Sequence, residues 1–162
     1  MSEEPRLPPR SDLHVALWEP EIPPNTGNVA RLCAATGTVL HLIGRLGFRV
    51  DDRSLRRAGL DYWDAVELHR HATLEEFESA HVGRNVWCFS ARAGERYTSV
   101  RYRRGDVLLF GSESRGLPVE VLRRYAGRSL TIPMTGTVVR SLNLATAVGI
   151  VLYEALRQIE GW

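Results

Sequence analysis

Apolar residues along this chain fall into short unbroken runs separated by segments with helical spacing, and the two kinds alternate almost from end to end. LHVALW (13–18), TVLHLI (38–43), NVWCFSA (85–91), DVLLFG (106–111) and SLTIPM (129–134) read as buried strands, and AVEL (65–68) as a weaker one. Between them, NTGNVARLCAATG (25–37) reads as a helix with Asn25 or Thr26 near its cap and Gly37 at its stop. DDRSLRRAG (51–59), TLEEFESAH (73–81) and PVEVLRRYA (118–126) read as further helices, the last with Pro118 in its first turn. This alternation predicts an α/β fold, a mostly parallel sheet with helices on both faces. In such sheets ligands sit outside the carboxyl ends of the strands, where loops lead into helices.

The last helix has a different pattern. From Leu144 to Tyr153 it carries no charge, and the small residues Ala145, Ala147 and Gly149 are interleaved with Val148, Ile150, Val151 and Leu152. A helix apolar all round is expected to be buried all round, here with one face on the sheet and the other on a second subunit. Asn143 before the run and Glu154 and Arg157 after it leave it too short to span a bilayer.

Composition narrows the picture without changing it. A chain of 162 residues, 44% hydrophobic and 25% charged, suits one globular domain; MSEEPRLPPRSD (1–12) reads as a loose polar tail and 13–162 as the domain. All 21 basic residues are arginine, yet the net charge is only +2, so a nucleic-acid surface has to be a local patch. RSLRR (53–57), RYRR (101–104) and RR (123–124) are candidates, and each reads equally well as a solvated face. Cys33 and Cys88 stand alone in apolar stretches with no ligand spacing, which suggests buried reduced thiols in a cytoplasmic protein. Of the five histidines, His69 and His71 lie two apart and cannot share a helical face, while His14 and His41 fall in apolar strands. Neither a catalytic histidine nor a metal site is expected.

Three loops carry unusual chemistry. In EPEIPPNTGNVAR (19–31) three prolines stiffen the approach, and Asn25, Asn28 and Arg31 fall within two helical turns. An arginine so near the positive end of a helix dipole is best understood if it meets a phosphate or carboxylate. FGSESRGLP (110–118) is a strand-to-helix turn whose Gly111 and Gly116 permit close backbone approach, and it fits neither a Walker loop nor a dinucleotide fingerprint. Its Glu113 and Arg115 could orient a substrate or pair with another loop. In TGTVVRSLN (135–143) either Ser141 or Asn143 can cap the long helix, but capping hardly accounts for Arg140, Ser141 and Asn143 together.

Taken in order, NTGNVAR, FGSESRGLP and IPMTGTVVRSLNLATAVGIVLYEALR resemble the three motifs of the SpoU/TrmH branch of the SPOUT methyltransferases. EPEIPPNTGNVARLCAATG and LRRAGLDYW are similar to segments of its minimal members, which methylate the ribose 2′-oxygen of the tRNA wobble nucleotide, cytidine or uridine. The likeness runs from about residue 13 to the end. It implies a C-terminal trefoil knot, a homodimer through the C-terminal helix, S-adenosylmethionine as cofactor and tRNA as partner, with no metal and no membrane. Other tRNA or rRNA sites, or a non-catalytic RNA-binding module, are the alternatives.

The resemblance also assigns residues. Arg31, Asn25, Glu113, Ser141 and Asn143 take the catalytic positions, and Phe89, Gly111, Ile132, Met134, Ser141 and Asn143 the cofactor positions. Arg31, Arg115, Arg140, Arg56 and Arg57 are the RNA-contacting candidates, with Tyr62 and Trp63 near the last two.

Overall fold

The computed structural model describes residues 12–50 and 65–162. The elements follow in the order β1 (His14–Trp18), α1 (Pro23–Thr36), β2 (Val39–Ile43), β3 (Leu68–His71), α2 (Leu74–Ala80), β4 (Val86–Phe89), β5 (Glu95–Arg96), β6 (Val107–Phe110), α3 (Val119–Arg124), β7 (Ser129–Thr131) and α4 (Leu144–Glu160). The helix expected at 51–59 and the candidates Arg56, Arg57, Tyr62 and Trp63 lie outside the described residues.

All seven strands form one sheet in the order β3-β2-β1-β6-β4-β7-β5, and every pairing in it is parallel. Side chains alternate across it to feed two cores. Val15, Leu17, Leu40, Leu42, Leu108 and Phe110 face α1 and α4. Ala16, Ile43, Val107 and Leu109 face α2 and α3, which contribute Leu74, Phe77 and Val121. A strand between two such layers needs apolar residues at every position, which is why the central strands show unbroken runs. Cys33 and Cys88 are buried free thiols, and burial pushes both up to about 12.

Several boundaries differ from the sequence reading, each for a local reason. The strand expected at 65–68 is β3, shifted to Leu68–His71; its LHRH sequence is polar because β3 is a sheet edge, and on a strand His69 and His71 do share a face. Helix α1 starts two residues earlier than Asn25, because Pro23 and Pro24 fit the first turn, where their missing N–H groups cost nothing. Pro118 sits at the N-cap of α3 rather than inside it. The run SLTIPM keeps strand pairing only over Ser129–Thr131, and the two-residue edge strand β5 is too short to leave a periodic signal. Helix α4 is buried on one side within the chain, through Leu144, Val148, Val151, Leu152, Ala155 and Leu156. Its opposite side is not: Tyr153 is 47% exposed. No helix among the described residues is long and apolar enough to cross a membrane.

Strand β7 lies between β4 and β5, and both neighbours align with it at Leu130, through Phe89 on one side and Glu95 on the other. Only residues 90–94 join those neighbours, so that short arch passes from one side of β7 to the other. Ser90 N–H donates to Leu130 O at 2.9 Å and Tyr97 N–H to Thr131 O at 2.9 Å, fixing the arch at both feet.

Candidate active site

The carboxyl ends of β1, β6, β4 and β7 are neighbours in the sheet, so the loops that follow them gather at one end of the molecule. Helix α1 opens there on Ile22, with no side-chain cap and with two prolines in its first turn. Its exposed donors are met from far along the chain. The Glu113 carboxylate accepts from Glu21 N–H at 3.0 Å and from Ile22 N–H at 2.6 Å. A carboxylate at the positive end of a helix is favourable both as acceptor and as charge. Glu113 therefore pairs with another loop, one of the two readings the sequence left open.

The same carboxylate begins a longer network. Asn25 Nδ2 donates to Glu113 Oε2 at 3.4 Å, Asn143 Nδ2 donates to Asn25 Oδ1 at 2.9 Å, and Thr146 N–H donates to Asn143 Oδ1 at 3.2 Å. An ionised carboxylate only accepts, so Asn25 must turn its NH2 toward Glu113 and its carbonyl toward Asn143. Asn143 then has to give its NH2 to Asn25, which leaves its oxygen for the amide of α4. Asn143 is thus the cap of α4 and also a link to α1; Ser141, exposed two residues earlier, is not the cap. Three predicted catalytic residues, Asn25, Glu113 and Asn143, form one chain of contacts across the three loops.

Glycine makes these loops close enough to touch. A Cβ on Gly111 would overlap the backbone of Gly116 and Leu117, while Gly116 N–H donates to Ser112 O at 2.9 Å. That tight turn projects Glu113, Ser114 and Arg115 from its tip toward the first loop. Ser114 Oγ donates to Glu21 Oε1 at 2.6 Å, and Arg115 Nε lies 3.8 Å from the same oxygen. The Ser114 hydroxyl, first among several contacts, holds the Glu21 carboxyl below the usual carboxylate range. A Cβ on Gly47 would come within 2.8 Å of Glu21 Cα and O, so the GRLGF segment also closes on this loop. Glu21, Ser114 and Gly47 were missed by sequence reasoning, because nothing local links positions 93 residues apart such as Glu21 and Ser114.

Other predicted residues fall at the same end of the sheet. Phe89 ends β4 and stacks on Phe110, the last residue of β6, at a centroid distance of 4.7 Å and 14° between planes. Gly111 follows β6 and Ile132 follows β7, so Phe89, Gly111 and Ile132, three of the residues expected at a cofactor site, stand at adjacent strand ends. From Met134 to Leu142 no backbone hydrogen bond is formed among the described residues. This segment leaves Met134 38% exposed and Val138 91% exposed, with Arg140 and Ser141 also at the surface. Ser112 Oγ is buried with no hydrogen-bond partner among the described residues. Arg31 is exposed on α1, six residues and roughly 9 Å of helix beyond Asn25.

A model of the SpoU rRNA methylase family matches residues 12–153. The tRNA (cytidine(34)-2'-O)-methyltransferase of Escherichia coli (strain K12) is 45% identical over 148 residues, which cover 91% of this chain and 94% of that protein. A solved structure presented as structural insights into the 2-OH methylation of C/U34 on tRNA superposes with a TM-score of 0.88 at 54% identity, covering 93% of this chain and 97% of that one. The AdoMet-bound rRNA methyltransferase of Sinorhizobium meliloti superposes with a TM-score of 0.80 at 33% identity, covering 93% of this chain and 57% of its own. The family match spans the sheet, all three loops and most of α4, and the chain belongs to the SpoU rRNA methylase family.

Proposed function

We propose that this chain transfers a methyl group from S-adenosylmethionine to the ribose 2′-hydroxyl of the wobble nucleotide, cytidine or uridine, in the tRNA anticodon loop. The reading is carried by the carboxylate–amide chain through Glu113, Asn25 and Asn143, which ties together the three family loops in a protein 45% identical to a tRNA (cytidine(34)-2'-O)-methyltransferase.

The residues at the strand ends fit the cofactor. Phe89, Ile132 and Met134 offer apolar surface to an adenine ring. The amides between Met134 and Leu142, which have no backbone partner among the described residues, offer polar partners. Phe89, Gly111, Ile132, Met134, Ser141 and Asn143 would hold it. When bound, the cofactor supplies an electrophilic methyl group on a sulfonium. The protein's task is then to align the hydroxyl and help it lose a proton. Arg31 acts as a cation that fixes an RNA phosphate and polarises the hydroxyl, with the proton leaving to a phosphate oxygen or water. Asn25 and Glu113 keep α1, and with it Arg31, in place. Arg115 and Arg140, with Arg56 and Arg57, contact RNA phosphates, while the base is read in a single-stranded loop where its edges are open.

The half-exposed side of α4 serves a homodimer, and the C-terminal segment forms a trefoil knot, a reading supported by the short connection from β4 to β5 across β7. Such an enzyme works in the cytoplasm, where its tRNA is.

The test is transfer of labelled methyl groups to unmodified tRNA, mapped by nuclease digestion. Label at position 34 is expected. Tight cofactor binding with label only in ribosomal RNA would move the assignment to the rRNA branch. In the same assay Arg31→Ala is expected to abolish transfer and leave cofactor affinity nearly unchanged; equal loss of both would contradict the role given to Arg31.

A further inference from the structure

All five histidines of the chain gather on one face of the sheet edge formed by β1, β2 and β3, under α2. None belongs to the loops at the carboxyl ends. His14 opens β1, His41 lies in β2, His69 and His71 lie in β3, and His81 follows α2 at its C-cap. His14 and His41 stack at 5.1 Å between centroids, and His81 meets the edge of His41 at 4.6 Å. His41 is fully buried and His14 is 8% exposed.

The ring contacts point the nitrogens of these three histidines toward one another. His81 Nδ1 donates to Phe77 O at 2.8 Å, since a carbonyl can only accept; its Nε2 is therefore the nitrogen with the lone pair. His41 Nδ1 lies 3.0 Å from His71 Nε2 and His41 Nε2 lies 2.8 Å from His14 Nδ1; in the tautomer in which His41 donates to His71, its Nε2 carries the lone pair. One ring nitrogen from each of His14, His41 and His81 lies within 4.8 Å of the others. Ligand nitrogens bonded at about 2.0–2.1 Å to one tetrahedral ion stand roughly 3.3 Å apart, so small adjustments bring these three to a common centre.

We propose that His14, His41 and His81 bind a divalent transition-metal ion, zinc above all, with His71 and the Phe77 carbonyl orienting two of the three rings. Metal binding moves one proton: His14 passes to the tautomer protonated at Nε2, and the proton it shared with His41 gives way to the ion. A water molecule completes the tetrahedron. The ligating form of imidazole is the neutral one. Burial, first among the causes, already holds His14 down to about 4 and His41 down to about 2, and lowers His71 as well. The charges facing His14 are Glu67 and Asp12, which favour a cation, and Arg84, which opposes it. Outer hydrogen bonds of this kind set ring orientation and ligand basicity. The site pins the C-terminus of α2 to β1 and β2, far from the methyl-transfer loops, and needs no assumption about catalysis.

The test is titration of chelator-stripped full-length protein with cobalt(II), read by the intense visible bands of tetrahedral cobalt, followed by displacement with zinc(II). One ion per chain and a rise in melting temperature with zinc are expected. His81→Gln and His14→Gln should each weaken binding by more than about 100-fold, beyond the roughly 10- to 100-fold expected for His71→Phe, which removes only an orienting contact. Both ligand variants are to be compared with wild type in chelator, so that a change in fold is separated from a loss of ligand. Absence of the cobalt bands in folded wild-type protein, or uptake unchanged in both variants, would overturn the proposal and leave the cluster a neutral hydrogen-bonded part of the core.

Discussion

Glu113 shows how one side chain can serve three loops. It meets two backbone donors of the loop entering α1 and the amide of Asn25, so its removal exposes the start of a helix and frees that loop at once. Glu113→Gln keeps the shape but can accept at only one oxygen and loses the charge at the helix N-terminus. We expect it to lower stability by about 1 kcal/mol in urea unfolding, within the range for lost helix caps, and to depress methyl transfer much more. A fall in stability with undiminished transfer would make Glu113 a cap only. The buried histidines set a pH dependence of definite sign. His14 and His41 titrate near 6.5 when unfolded but are held down to about 4 and about 2 in the fold. Between pH 6.5 and 4 the unfolded chain binds more protons than the folded one, so stability rises with pH across that window and is progressively lost as pH falls. Chelator-treated protein followed by thermal melts should show this decline, at no more than about 1.4 kcal/mol per pH unit for each histidine. A flat profile would mean that the histidines titrate alike in both states.

At the scale of elements, α1 and α4 are held together at their N-termini through Asn25 and Asn143, whereas each helix taken alone would need only its own cap. The two duties of Asn143 can be separated. Asn143→Asp keeps an oxygen for Thr146 N–H, a good cap, but has no NH2 to give Asn25. We expect its stability to stay within about 0.5 kcal/mol of wild type while methyl transfer falls sharply; Asn143→Ala should cost about 1 kcal/mol in addition to the activity. Comparison of urea midpoints and transfer rates for the two variants decides whether the link or the cap matters. The sequence showed that Asn25 and Asn143 were candidates, and it left the cap of α4 open between Ser141 and Asn143. Only the fold could choose, because the choice follows from which residue Glu113 compels to donate, across 88 and then 118 residues of chain.

For the whole molecule, the one-sided burial of α4 is the observation with the widest reach. Tyr153 is 47% exposed and lies beside Trp162, which is 67% exposed, with ring centroids 6.2 Å apart on the side away from the sheet. If this surface joins two copies, Tyr153→Arg places a charge in the contact and should shift sedimentation velocity toward the monomer with the fold intact. An unchanged dimer would move the interface off α4.

The α/β layering, the positions of the central strands and the buried thiols were legible from the chain by itself, because a strand covered on both faces needs an unbroken apolar run and a core helix a 3.6-residue rhythm. The polar residues of the three loops were legible as candidates for the same reason: their chemistry is unusual for connections of that kind. Tertiary structure alone decided the partners. It set Glu113 on the first turn of α1, placed β7 between β4 and β5, and turned histidines that look unrelated along the chain into a cluster on one sheet face. Periodicity reports which way a residue faces within its own element; which distant residue it meets depends on strand order, and strand order is a property of the folded chain.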